Sequence, residues 1–232
     1  MVKKKIVVLT GAGMSAESGL KTFRDSNGLW EGHDVMEVAS PQGFAKNPEL
    51  VLDFYNQRRR QLLEVSPNAG HHALVDLEKH FEVSIVTQNV DNLHEQAGSS
   101  HVVHLHGELF KVRSTMDENH VLEWKKDLIL GDLDKNGHQL RPHIVWFGEM
   151  VPMMETAAQI TQLADILIII GTSMQIYPAA SLANYVSGQT PIFFVDPKPS
   201  VRPSDFGNLT IISETAAEGV PTLVNHLSDT MT

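Results

Sequence analysis

A short apolar run followed at once by a glycine turn constrains the fold of this chain more than any other stretch. Ile6-Val7-Val8-Leu9 has the pattern of a buried parallel strand. Gly11-Ala12-Gly13 follows it, and Ala16 completes a Gly-x-Gly-x-x-Ala pattern. The glycines let the backbone turn tightly near a pyrophosphate, and the small third residue lets a helix, whose first N–H groups face the phosphates, pack on the strand. The pattern predicts a dinucleotide-binding turn, with an ordinary tight turn as the alternative.

The segment after this turn differs from that of an ordinary dehydrogenase. A strand ending in Asp or Glu, expected about 20 residues on to bind a ribose, does not follow. Thr22-Phe23-Arg24 and Gly28-Leu29-Trp30 follow instead, in a stretch rich in glycine and polar residues. An aromatic ring and a guanidinium beside a nucleotide are typical of a lid that shields a reactive carbon from water.

The composition excludes several classes of protein. The chain has 232 residues, is 42% hydrophobic and 20% charged, and carries a formal net charge of −10, which indicates a soluble globular protein without the basic face that nucleic acid requires. Because it has no cysteine, it can form no disulfide, thiolate nucleophile or thiolate zinc site. The apolar run at 166–171 is too short to span a bilayer. With no secretory signal recognisable, we expect a cytoplasmic enzyme without a nucleic-acid or membrane partner.

Strand-like and helical patterns alternate along most of the chain, which predicts an α/β fold with a Rossmann-like, doubly wound parallel sheet. Runs rich in Val and Ile predict strands over residues 5–10, 83–87, 143–147, 165–171, 191–195 and 209–212. Apolar residues at helical spacing predict helices over 48–65, 70–80, 153–164, 179–187 and 218–227.

Two stretches do not fit this alternation. Residues 31–70 look helical without a strand, and residues 111–141 are polar, irregular and broken by glycine. We expect them to form a small, mostly helical second lobe within a single catalytic domain spanning 1–232. The large lobe would then comprise about 1–30, 71–110 and 142–232. A ligand would lie between the lobes, at the carboxyl ends of the strands.

Polar side chains follow the predicted strand at 83–87. Gln88, Asn89, Asp91 and Asn92 come directly after it, so they would face the cleft. An Asp there can accept a hydrogen bond from a carboxamide N–H of the kind that nicotinamide offers. The alternative is that Asp91 or Asn92 merely caps the next helix.

Two histidines alternate in His104-Leu105-His106-Gly107, which we expect to be a short strand with both imidazoles on one face. A histidine is more often structural than catalytic, and His-x-His is also compatible with a metal site. Gly107 favours a close backbone approach at this point, which favours a functional site.

Together these segments resemble the sirtuins, a family of NAD-dependent protein-lysine deacylases. The similarity runs from about residue 5 to about residue 225. Within the family the chain looks closest to the branch that removes acidic acyl groups, which carries Tyr-x-x-Arg on a small-lobe helix, here Tyr55-Asn56-Gln57-Arg58. The matching blocks, in the family's order, are Gly11 to Gly19 with Phe23-Arg24, Thr87 to His94, His104 to Gly107, Phe147-Gly148-Glu149 and Gly171-Thr172-Ser173.

The resemblance implies a reaction and a set of site residues. The acyl-lysine carbonyl oxygen would attack the ribose C1′ as nicotinamide leaves, and His106 would act as general base on a ribose hydroxyl. The products would be nicotinamide, free lysine and 2′-O-acyl-ADP-ribose. Asn89 is the second catalytic residue by resemblance, and Asp91 would hold the carboxamide. The implied NAD-binding residues are Gly11, Ala12, Gly13, Ser15, Ala16, Gly19, Phe23, Arg24, Trp30, Gln88, Asn89, Asp91, Gly171, Thr172, Ser173, Asp196, Pro197, Lys198 and Ala216.

The substrate would be an acylated lysine in an extended peptide. The resemblance assigns the peptide to Val145, Phe147 and Gly148, through backbone hydrogen bonds along 145–148. Tyr55 and Arg58 would share a helix face, where a guanidinium and a phenol suit the carboxylate of a succinyl or malonyl group as well as admitting acetyl. The alternative is that Arg58 belongs to a solvated run of arginines and Tyr55 only packs in the lobe.

The chain departs from the family's usual pattern in the small lobe. Most sirtuins bind zinc there on two Cys-x-x-Cys pairs, but this chain has Ser114 in that region and no cysteine. His120 and His138 match no known ligand spacing, so we expect surface histidines and no zinc. Two other functions stay open: a protein mono-ADP-ribosyltransferase that uses the same NAD site, and a non-enzymatic NAD sensor.

Overall fold

The computed structural model describes residues 3–21 and 29–231. Its strands are β1 (Lys5–Thr10), β2 (Leu29–Trp30), β3 (His33–Asp34), β4 (Glu82–Thr87), β5 (Val102–His104), β6 (Gly107–Ser114), β7 (Val121–Glu123), β8 (Leu140–Ile144), β9 (Ile166–Ile170), β10 (Ile192–Val195) and β11 (Leu209–Ile212). Its α-helices are α1 (Val35–Val38), α2 (Pro41–Lys46), α3 (Pro48–Leu62), α4 (Ala69–Leu77), α5 (Leu93–Ala97), α6 (Met154–Gln162) and α7 (Ala216–Thr230). Short 3-10 turns cover Ala12–Met14, Ala16–Ser18 and Ala179–Asn184.

A six-stranded parallel sheet in the order β11-β10-β9-β1-β4-β5 confirms the predicted α/β fold. Its central strand β1 is buried almost throughout, and so is β9, because both faces of the sheet are covered. Helices α4 and α7 pack on one face through Leu74, Leu77 and Val220. Helix α6 and the 3-10 turn at Ala179–Asn184 cover the other. Strand β1 is flanked by β4 on one side and by β9 on the other. The strand order reverses there, so the carboxyl ends of β1, β4 and β9 border one crevice.

The small lobe combines helices with a second sheet. Helices α1, α2 and α3 pack around a core that includes Phe54, Tyr55 and Trp146. The stretch 111–141, which we expected to be irregular, instead contributes to an antiparallel sheet in the order β7-β6-β8. Its second core holds Leu52, Val112, Leu128 and Leu140. The second lobe is therefore built from helices and a sheet in comparable measure.

The strand predicted at 143–147 is wrong in both place and partner. Strand β8 ends at Ile144 and pairs antiparallel with β6, outside the main sheet. The following residues leave the ladder because the backbone N–H of Trp146 donates to Glu149 Oε2 at 2.8 Å and that of Phe147 donates to the Ala39 carbonyl at 2.9 Å. The segment is thereby turned into the space between the lobes.

The helix expected directly after the glycine turn is also wrong. Two successive 3-10 turns stand there, and the second ends at Gly19 in the left-handed region with φ of 100°. The helix predicted at 179–187 is likewise a 3-10 segment, Ala179–Asn184. Among the described residues, no helix has the length and apolar character needed to cross a bilayer.

Candidate active site

A cavity of about 310 Å³ lies where the carboxyl ends of β1, β4 and β9 meet the small lobe. Residues predicted from separate parts of the sequence come together on its wall: Gly11, Ala12, Gly13, Ser15, Trp30, Tyr55, Arg58, Gln88, Asn89, Asp91, His106, Val145, Phe147, Gly148, Gly171, Thr172 and Ser173. The structure does not place Ala16, Gly19, Asp196, Pro197, Lys198 or Ala216 on that wall. Phe23 and Arg24, and most of the predicted lid, lie outside the described residues.

Two glycine loops interlock to form the floor of the cavity. Gly11 N donates to the Ile170 carbonyl at 3.0 Å, and Gly13 N donates to the Gly171 carbonyl at 2.8 Å. Gly171 has φ of 60°, and a Cβ on it would collide with the backbone of Gly13 and Met14. From the sequence, N–H groups at the start of a helix are expected here to face a phosphate. The N–H groups of Gly11 and Gly13 instead donate to carbonyls of the protein. The glycines are therefore required first of all by the contact between the two loops.

Ser15, Asn89 and Asp91 form a buried hydrogen-bonded cluster on one wall. Ser15 Oγ donates to Asp91 Oδ2 at 2.9 Å and accepts from Asn89 Nδ2 at 3.2 Å. Asp91 Oδ1 accepts from the backbone N–H of Leu93 at 3.1 Å, so Asp91 also caps the start of α5, whereas Asn92 makes no side-chain cap. Burial raises the pKa of the Asp91 carboxyl above its ordinary value. The cluster presents both hydrogen-bond donors and acceptors to a polar ligand.

His106 has the geometry of a general base. Its Nδ1 lies 3.0 Å from the backbone carbonyl of Gln88. Because a carbonyl only accepts, Nδ1 carries the proton and Nε2 keeps its lone pair. Burial lowers the pKa of His106 below its ordinary 6.5, so the ring is neutral at pH 7 and able to accept a proton there.

His104 does not join His106 at the cavity. Its Nδ1 lies 3.0 Å from the Asn89 carbonyl and its Nε2 lies 2.7 Å from Glu95 Oε1. Burial lowers its pKa, but the hydrogen bond and charge of Glu95 outweigh burial and the pKa is raised overall. The strand expected through both histidines is broken, since β5 ends at His104 and β6 starts at Gly107. Gly107 has φ of 82°, and a Cβ there would collide with the carbonyl of His143.

The three successive arginines of α3 point to three different environments. Arg60 is the exposed one and pairs with Asp127 at 2.8 Å. Arg59 is fully buried and donates to the Leu109 carbonyl and to Asn56 Oδ1. Arg58 borders the cavity. The three arginines are therefore not one solvated run, because only Arg60 has an exposed, solvated charge.

Arg58 is held in place by its aromatic neighbour and its own helix. Its guanidinium carbon lies 3.3 Å from the ring centroid of Phe54, and its NH1 donates to the Phe54 carbonyl at 2.6 Å. Its Nε is buried and has no hydrogen-bond partner among the residues that the structure describes. Burial lowers the pKa of Arg58 to about 10, so the side chain stays charged at neutral pH. Arg58 is therefore a fixed cation that borders the cavity from the small lobe.

Tyr55 is fully buried, as expected if it only packs in the small lobe. It nevertheless borders the same cavity as Arg58. Its hydroxyl accepts a hydrogen bond from Trp146 Nε1 at 3.0 Å. No role was assigned from the sequence to the side chain of Trp146 or to the partly buried carboxylate of Glu149, although both residues line the cavity. The signal available was that Trp146 lies in the segment 145–148 and that Glu149 ends the Phe147-Gly148-Glu149 block.

The segment 145–148 is already tied into the protein. Val145 N donates to the His106 carbonyl at 2.9 Å, and Phe147 N donates to the Ala39 carbonyl at 2.9 Å. A substrate peptide paired along this segment would have to use other backbone groups than these two N–H groups.

The part of the small lobe around Ser114 shows no donor set that fits a zinc ion. The Asp134 carboxylate accepts from the N–H groups of Asn136 and His138. Hydrogen bonds from the Ser114 hydroxyl and from His138 hold the pKa of Asp134 well below its ordinary value. Among the residues that the structure describes, no three His, Cys, Asp or Glu side chains are grouped as metal ligands. The lobe is held here by hydrogen bonds and apolar packing.

The fold and the cavity define a two-lobed α/β protein with a nucleotide-type site between its lobes. The sequence model of the Sir2 family matches residues 11–178. The chain belongs to the Sir2 family, which confirms the family resemblance stated above.

Similar proteins carry consistent names. An NAD-dependent protein deacylase of Helicobacter pylori is 63% identical over 195 residues, covering 84% of this chain and 85% of that protein. One of Bacteroides thetaiotaomicron is 53% identical over 226 residues, covering 95% and 96%. Among solved structures, a Sir2 homologue in complex with NAD superposes with a TM-score of 0.88 at 38% identity, covering 99% of this chain and 91% of that one.

Proposed function

We propose that this chain is an NAD-dependent protein-lysine deacylase that removes acyl groups ending in a carboxylate, such as succinyl and malonyl, as well as acetyl. Family membership and the deacylase names of relatives at 53% and 63% identity support the NAD-dependent activity. The charged guanidinium group of Arg58, a residue that borders the cavity, carries the finer part.

The residues on the cavity wall have the chemistry that binding NAD requires. Backbone at Gly11 and Ala12 borders the open floor, and the Ser15, Asn89 and Asp91 cluster offers donors and acceptors for the ribose and carboxamide. Bound NAD would supply an electrophilic ribose carbon to the acyl oxygen. His106 would take the proton of a ribose hydroxyl at Nε2 while Nδ1 stays hydrogen bonded to the Gln88 carbonyl. With one water molecule consumed to release the amine, the products we propose are nicotinamide, free lysine and 2′-O-acyl-ADP-ribose.

The part of the cavity bordered by Tyr55 and Arg58, which we call the acyl end, suits a carboxylate. Arg58 supplies a fixed positive charge, and Tyr55 supplies a phenol on the same helix face. Charge-assisted hydrogen bonds of this kind contribute about 1.5–3 kcal/mol each. An acetyl group cannot form these hydrogen bonds. Because water can still solvate part of Arg58 when acetyl-lysine is bound, we expect acetyl to remain a substrate.

The discriminating experiment uses matched acetyl-, succinyl- and malonyl-lysine peptides with NAD and mass spectrometry of the products. Arg58→Met should lower kcat/KM for the acidic peptides by about 10- to 100-fold and for the acetyl peptide far less. Arg60→Met is the matched control, because Arg60 is exposed and pairs with Asp127 outside the cavity.

Equal losses on all peptides would remove the proposed role of Arg58. Labelled ADP-ribose attached to protein, in place of 2′-O-acyl-ADP-ribose, would favour the mono-ADP-ribosyltransferase alternative. NAD left uncleaved beside every acylated peptide would overturn the proposed function as a whole.

A further inference from the structure

We propose that Trp146 is a positioning residue that sets the direction of the Tyr55 hydroxyl proton, so that the cavity selects acyl chains ending in a hydrogen-bond acceptor. The inference rests on the proposed function, since it concerns the same acyl end. It assigns Trp146 a part in specificity rather than in the chemical step.

The hydrogen bond between the two side chains has only one possible polarity. An indole nitrogen donates and never accepts, so at 3.0 Å Trp146 Nε1 must donate to the Tyr55 oxygen. The oxygen's acceptor capacity is thereby engaged, and the hydroxyl proton points elsewhere. Burial raises the pKa of Tyr55 well above its ordinary value, so that proton is retained at neutral pH.

The indole cannot easily turn away from this bond. The Arg141 guanidinium carbon lies 3.3 Å from the centroid of the Trp146 ring. Arg141 donates to both oxygens of Glu149, at 2.6 and 3.1 Å, and the backbone N–H of Trp146 donates to the same carboxylate at 2.8 Å. The ring is thus stacked on a cation whose counter-ion also holds the Trp146 backbone.

The phenol is held as firmly as the indole. Tyr55 is fully buried, with Trp30 and Phe54 edge-on to its ring at centroid distances of 6.2 and 5.2 Å. Only the O–H bond retains freedom to rotate, and Trp146 removes one of its orientations. Arg58, one helical turn further on, contributes donors only. Tyr55 and Arg58 therefore both offer donors at the acyl end, which favours an acceptor such as a carboxylate over a methyl group.

A double-mutant cycle on acyl selectivity tests this arrangement. Trp146→Phe keeps an aromatic ring beside Arg141 but removes the N–H. The ratio of kcat/KM for the succinyl peptide to that for the acetyl peptide should fall about three- to tenfold, mainly through KM of the succinyl peptide. In the Tyr55→Phe background the same change should produce no further fall, because no hydroxyl remains to be oriented.

Two controls separate positioning from damage to the fold. Trp124→Phe removes an equivalent indole hydrogen bond, to the Asp127 carbonyl, away from the cavity, and should leave the ratio unchanged. Should Trp146→Phe fail to fold, Trp146 can be replaced by β-(3-benzothienyl)alanine, which keeps the shape of indole and puts sulfur in place of N–H.

An unchanged ratio in Trp146→Phe or its isostere, or an equal fall with and without the Tyr55 hydroxyl, would overturn the inference. Either result would leave the proposed function standing if wild type cleaves the succinyl peptide and Arg58→Met impairs that cleavage. Failure of the wild type to cleave it would overturn both.

Discussion

A buried pair of histidines should make the protein lose stability in mild acid. His71 on α4 is fully buried, and its ring lies 4.9 Å from that of His94. His71 Nδ1 accepts from the backbone N–H of Asn68 at 3.3 Å, so its proton sits on Nε2. That nitrogen is buried and has no partner in the part of the chain that the structure describes. Charging the ring would place a second proton on Nδ1 and break the bond to Asn68.

The size of the effect follows from the pKa of His71. Burial, and to a lesser degree the charge of His72, lowers that pKa from 6.5 to about 4. The unfolded chain therefore binds a proton that the folded protein refuses, and stability is complete above about pH 6.5 and falls as the pH drops toward 4. Between pH 7 and pH 5 this single group should remove about 2 kcal/mol from the free energy of unfolding. Burial also lowers the pKa of His94 well below its ordinary value, so its effect has the same sign.

Urea unfolding at pH 7 and pH 5 measures this loss. His71→Gln should reduce the loss by about 2 kcal/mol, because glutamine does not titrate and, at the third helical position, can still accept from the Asn68 N–H. His226→Gln, at an exposed position on α7, should leave the loss unchanged. The same pH dependence in wild type and His71→Gln would refute this reasoning.

Two further substitutions test the floor and wall of the cavity. Gly171→Ala should raise the KM for NAD at least about tenfold or prevent folding, because its Cβ would collide with the Met14 backbone nitrogen at a φ of 60°; NAD titration measures this, with Gly188→Ala as a control in open space. Asp91→Asn should lower the free energy of unfolding by about 1–3 kcal/mol, because one of the two donors facing the carboxylate loses its acceptor. Thermal and urea unfolding measure this change, and equal free energies of unfolding for Asp91→Asn and wild type would contradict the prediction.

The main sheet was predictable because its strands carry their signal locally. Strands β1 and β11 have the predicted bounds, and β4, β9 and β10 agree within a residue at each end. Strands buried on both faces are continuous apolar runs with polar breaks, so a short window of sequence shows where they start and stop.

The small-lobe sheet and the first turns carry no such local signal. All three residues of β7 are exposed, so no alternation of polar and apolar residues marks it as a strand. The 3-10 turns after β1 depend on the contact between Gly13 and Gly171, which are far apart in sequence. Tertiary contacts of this kind override the local pattern.

The candidate site was predictable in its members but not in its arrangement. The family blocks led to His106, Asn89 and Asp91, which line the cavity, yet also to Asp196 and Ala216, which do not. Resemblance transfers residues one by one, whereas the direction of a side chain depends on what packs around it. The polarity of the hydroxyl of Tyr55 is one such property, since its partner Trp146 lies 91 positions away.

The two halves of the proposed chemistry belong to different lobes, and the segment 145–148 joins them. Val145 N donates to the carbonyl of His106, the proposed base, and two residues later Phe147 N donates to the carbonyl of Ala39 in the small lobe. Trp146, between them, holds the hydroxyl of Tyr55. Because consecutive residues of one short segment contact the base and the acyl end, a shift of either lobe changes the distance between them. Acyl selectivity and the rate of the chemical step should therefore be coupled through this segment.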